Sequence, residues 1–148
     1  MFNFNEYETK VMNTLEKKIE AVRVANLIIG QLTDTTDANV LMSWGVRGHG
    51  AGYVRGRDGI EMPCLTLDVS GLIHTGRVVV ALNEGADVYE VALYDALGER
   101  CGDWIGDVTC DMLGSLLDSL IERPKGMTDE DYKDLSEIDS FIKCLLDI

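Results

Sequence analysis

Apolar side chains recur every three or four residues over residues 6–32, at Val11, Leu15, Ile19, Val22, Ala25 and Ile29, and this spacing predicts one long helix. At about 1.5 Å per residue it would span about 40 Å, more than the width of a compact domain of this size. Part of it is therefore expected to project beyond the body. Two seven-residue repeats run along it, Leu15, Val22 and Ile29 in one column and Met12, Ile19 and Asn26 in the other. Two such columns form the seam of a short coiled coil, in which a polar Asn26 would fix register. Homo-oligomerisation through this helix is one expectation, and packing of the same residues on the chain's own sheet is the other.

A polar connector over residues 31–39 ends the helix, because its Thr and Asp side chains compete for the backbone. Beyond it the period changes from about 3.6 to two. Val40, Met42, Trp44 and Val46 alternate with Leu41, Ser43 and Gly45, which predicts a first strand. Residues 61–69 predict another. Residues 77–82, with Val78, Val79 and Val80 in succession, predict a central strand covered on both faces. Residues 88–95 alternate as a half-buried antiparallel neighbour would, and residues 100–105 read as a short edge strand carrying Trp104. Turn chemistry at residues 83–87 and 96–99 separates them.

From residue 108 the helical period returns. Met112, Leu113, Leu116, Leu117, Leu120 and Ile121 make one broad apolar face, Asp107 or Thr109 can cap it, and Arg123 with Pro124 stops it. Thr128 with Asp131 three residues on resembles a capping box. It opens a last helical stripe at Tyr132, Leu135, Ile138, Phe141 or Ile142, and Leu145. The predicted fold class is α+β in a single domain over residues 1–148. A long N-terminal helix and connector occupy 1–38, a mostly antiparallel sheet of five or six strands occupies 39–106, and two C-terminal helices packed on the sheet occupy 107–148.

Composition supports a folded chain, since 46% of residues are hydrophobic and only two are proline. No stretch approaches the roughly 20 apolar residues that span a bilayer, and the first residues lack the basic and apolar regions of a secretory signal. A cytoplasmic location away from membranes is expected. Four cysteines, Cys64, Cys101, Cys110 and Cys144, show no C-x-x-C pair and are expected to be reduced, small and buried. Neither they nor His49 and His74 offer close ligand pairs, so no metal and no cofactor is expected. No motif of a hydrolase, metalloprotease, P-loop or dinucleotide-binding site is present, and the chain reads as non-enzymatic.

Charge changes the picture more. The net charge is −13, and residues 61–108 carry nine acidic against two basic side chains. Such a surface repels phosphate backbones and attracts a basic protein partner. The leading expectation is therefore an interaction module, one form of it a nucleic-acid mimic that occupies a basic protein. Asp129, Glu130, Asp134, Glu137 and Asp139, on the outer face of the last helical stripe, are the candidate partner-binding residues.

One island runs against this charge. Residues 45–59 hold six of the fifteen glycines together with Arg47, His49, Arg55 and Arg57. Glycine lets a ligand approach the backbone and arginine offers a planar fork for phosphate or carboxylate, so an anion-binding module is the alternative expectation. The plainer reading of the same residues is a hairpin. One strand would end near Arg47, a glycine turn would follow, residues 53–57 would return, and Asp58-Gly59 would turn again.

Overall fold

The computed structural model describes residues 4–122. In chain order the elements are α1 (Phe4–Thr35), α2 (Ala38–Ser43), β1 (Gly48–Arg55), β2 (Glu61–Ser70), β3 (Thr75–Asn83), β4 (Val88–Tyr94), β5 (Ile105–Val108) and α3 (Cys110–Ile121). The five strands form one antiparallel sheet in the order of the chain. Tight connections allow this meander, since each strand can return beside its predecessor without a crossover. The α+β class stands, with one C-terminal helix among the described residues. The second predicted helix, with Asp129, Glu130, Asp134, Glu137 and Asp139, lies outside them.

Register assigns the two faces of the sheet. Leu65, Val80 and Val91 lie side by side, as do Leu67, Val78 and Leu93. These residues join Val24, Ala25, Ile28 and Leu32 of α1 and Leu113, Leu117 and Ile121 of α3 in the main core. Burying each of the larger α3 side chains contributes about 1.5 to 3 kcal/mol before entropy is subtracted. The other face carries a smaller cluster of Met62, Cys64, Val79, Ala81, Ala92 and Trp104. Both faces of β4 are thus packed over Tyr89, Glu90, Val91 and Ala92, where alternation in the sequence predicts one covered face.

Two glycines set how closely α3 approaches. A Cβ on Gly71 would lie 2.1 Å from the Ile121 carbonyl oxygen, and one on Gly114 would lie 2.1 Å from Thr36 Oγ1. With no side chain at Gly71, the Ile121 carbonyl accepts bonds from the backbone amides of Ile73 (2.9 Å) and His74 (3.2 Å). Trp44, fully buried, donates from Nε1 to Asp118 Oδ1 at 3.0 Å, and the Leu72 amide donates to Glu122 Oε2 at 2.7 Å. The end of α2, the β2–β3 connection and α3 are locked together here, and Trp44 Nε1 and Glu122 Oε2 are buried with partners, which spares each the full desolvation penalty.

Three local expectations are corrected. Residues 40–46 do not form a strand, because residues 38–43 are α2. Asp37 caps that helix by accepting from the Asn39 amide at 2.8 Å, and the side chains of Val40, Leu41 and Trp44 sit as well on a helical turn as on a strand. The glycine turn is also absent. Residues 48–52 lie inside β1, and the chain reverses at residues 56–60, where Gly56 and Ile60 are bonded and Gly59 has φ 75°. The last strand begins at Ile105 rather than Arg100, whose only pairing is an isolated bridge to Tyr94. Gly98 and Gly102, both at positive φ, turn the chain on either side of that bridge.

Candidate functional site

Two surfaces are built by this fold and left without cover among the described residues. The first is the outer side of α1. Its 32 residues extend about 48 Å, and its buried positions begin only at Ala21, continuing through Val24, Ala25, Ile28 and Leu32. Residues 8–19 are all exposed. They are anchored from beneath by Lys17, which pairs with Glu61 and stands 4.7 Å over the Tyr53 ring. That hydrogen bond holds the Glu61 carboxyl below the usual carboxylate range, and burial pushes the Tyr53 hydroxyl up.

On the side away from this anchor runs an apolar row of Val11, Met12, Leu15, Ile19 and Val22. Leu15 is 47% exposed and Ile19 67%. At 3.6 residues per turn the row is rotated by about 130° from the buried row of the same helix. Met12, Leu15, Ile19 and Val22 of this row belong to the heptad columns seen in the sequence, so most of the seam faces solvent, while Ile29 at its far end packs against the core.

The second surface is the sheet face opposite the helices. Gly48, Gly50 and Gly52 alternate with His49, Ala51 and Tyr53, so all three glycines fall on that face. The edge strand is consequently bare there. Beside it lie Cys64, Thr66 and Asp68 of β2, then Arg77 and Val79 of β3, then Tyr94 of β4. Ala96, Leu97 and Gly98 complete the rim of a hollow of about 540 Å³. Its floor is apolar because Cys64 and Val79 are buried. Burial also pushes the Cys64 thiol up while its hydrogen bond with Gly52 pulls it down, and the net rise keeps it protonated near neutrality. Arg77 donates from Nε to Asp68 Oδ1 at 3.2 Å, and both side chains are about half exposed.

The residues singled out in the sequence are not gathered in either place. Arg47 precedes β1 and gives its amide to the Asp68 carbonyl at 2.8 Å, whereas Arg55 ends the strand opposite Glu61, about 26 Å further along. His49 is paired opposite Leu67 and is exposed. Arg57 belongs to the following turn, where its Nη2 would lie 3.9 Å from a Cβ on Gly106 of β5. These four side chains therefore do not converge, while the glycines between them do form one surface. The exposed acids are likewise spread, with Glu84 and Asp87 at one end of the sheet and Glu99 and Asp103 at the other.

Sequence reasoning missed Thr66, Arg77, Tyr94 and Leu97. The available signal was the two-residue spacing of Gly48, Gly50 and Gly52, which places them on one face once residues 48–55 are read as a strand. Of the described cysteines only Cys64 is buried, and Cys101 and Cys110 are exposed. Cys144 lies outside the described residues. Among the described residues no three or more His, Cys, Asp or Glu side chains are placed to hold a metal ion, and no helix is long and apolar enough to cross a membrane. Comparison with protein-family models, with curated proteins and with solved structures finds no match for this chain.

Proposed function

We propose that this protein is an interaction module that assembles with a second copy of itself through the outer side of α1. The observation that carries this reading is the solvent-facing row Met12, Leu15, Ile19 and Val22 in heptad register, with Val11 exposed beside it. Burial of such a row against an identical helix removes apolar surface from water on both partners and gives each side chain a hole to enter.

Charge selects a second copy over a basic partner at this surface. Residues 1–23 contain four acidic and four basic side chains, so the entire net charge of −13 belongs to the rest of the chain. Two copies brought together through residues 61–148, which carry that whole charge, meet mutual repulsion, whereas two α1 helices meet neutral, mixed-sign faces. The acidic remainder then keeps assemblies apart and leaves a surface on which a basic protein can be recruited.

Sedimentation velocity of the whole chain at low to high micromolar concentration tests this. The expected result is a dimer that Leu15→Glu with Ile19→Glu converts to a monomer of unchanged helical circular dichroism. A wild-type chain that remains monomeric at the highest concentration overturns the reading.

A further inference from the structure

We propose that the hollow on the open face of the sheet binds a small aromatic carboxylate, one molecule per chain. Its volume of about 540 Å³ lies within the range of small-molecule sites. Gly52 leaves part of the β1 wall without a side chain, so a flat ring can lie directly against the backbone there. Opposite it stand the Tyr94 ring and Leu97, an apolar side chain 88% exposed at the rim, with an apolar surface to cover.

The floor of Cys64 and Val79 offers no charge, and Thr66 supplies a hydroxyl. One cation, Arg77, faces this space. Its bond to Asp68 engages Nε, and the guanidinium has further N–H donors in the same plane to present to a carboxylate. Charge also limits the ligand. A single arginine beside Asp68, in a chain of net charge −13, matches one anionic group and opposes a polyphosphate.

Of the three glycines of the Gly/Arg-rich stretch Gly52 thus takes part, and the arginine comes from β3. Gly52 gives a direct way to close the site, because a Cβ there meets nothing within 4 Å and the residue sits in extended strand. A larger side chain at that position enters the hollow and leaves the core alone.

The test is titration of the isotope-labelled full chain with naphthalene-2-carboxylate, and separately with its uncharged carboxamide, followed by amide chemical shifts. The expected result is saturable change confined to residues 50–54, 64–66, 77–79 and 94–98, with a dissociation constant below about 1 mM. The carboxamide and the Arg77→Gln variant should each bind about ten-fold more weakly, as loss of one charge-assisted hydrogen bond requires. Gly52→Leu should abolish the change while its spectrum keeps native dispersion, and Leu97→Ser should weaken binding without touching the floor. Shifts scattered over the surface or centred on α1, equal binding of acid and amide, or an undiminished response in Gly52→Leu would each overturn the proposal.

Discussion

The two halves of α1 are made of the same kinds of residues and meet opposite fates. In the second half Ala21, Val24, Ala25, Ile28 and Leu32 are buried against β2, β1 and α3. In the first half Val11, Met12, Leu15 and Ile19 face water, although they are larger than the alanines that are buried. Period and hydrophobicity therefore specify where a helix is sticky. They do not specify what it sticks to. The second half is held by the chain that follows it, and the first half extends past the sheet, with Lys17 pairing to Glu61 and lying over Tyr53 beneath it.

The largest effect expected from this contrast lies in the covered half and its partner helix. Leu117→Ala removes a fully buried side chain from α3 where it packs against the core shared with α1, and should cost about 2 to 5 kcal/mol in a denaturant melt. Next comes Gly71→Ala, which drives a methyl group into the Ile121 carbonyl. It should cost about 1 to 3 kcal/mol, and a neutral result would show that α3 can shift away without losing its other contacts.

Leu15→Glu with Ile19→Glu should leave the monomer within about 0.5 kcal/mol of its original stability, as surface changes do. The wild-type melting temperature should rise with protein concentration while that of the variant does not, because only an associating chain gains stability by mass action. A large loss of monomer stability would mean that the exposed row is covered within one chain.

The smallest effect is at the anchor. Glu61 is held below its ordinary value by Lys17, so the stability it contributes is present above the unfolded carboxyl value and fades as pH falls through the folded one. The gap in melting temperature between the wild type and Lys17→Ala should therefore be small near neutrality and close as pH falls below the ordinary carboxylate range.

Particular residues mark how far the sequence could be read. The long helix, β2 to β4, the turn at Asp58-Gly59 and the apolar face of α3 were legible, because each repeats one period long enough to exclude the others or carries unambiguous turn chemistry. Residues 40–46 were not legible as α2. Seven residues satisfy both periods, and the choice rests on the Asp37 cap and on the buried bond from Trp44 to Asp118, a partner 74 residues away. The glycine-rich stretch was misread for a related reason. A glycine's ability to turn is local, whereas its use as a side-chain-free strip depends on which strand lies beside it.

The chain alone thus determined the α+β class, the single long helix with its heptad row, and the charge-neutral first segment of an otherwise acidic protein. These follow from local spacing and from counting. Only the tertiary structure decided that the heptad row faces outward, that Arg47 and Arg55 stand far apart, and that Arg77 joins Gly52 around one hollow. Register between strands sets those outcomes, since in an antiparallel sheet a residue's neighbours are chosen by pairing across the ladder and not by proximity along the chain.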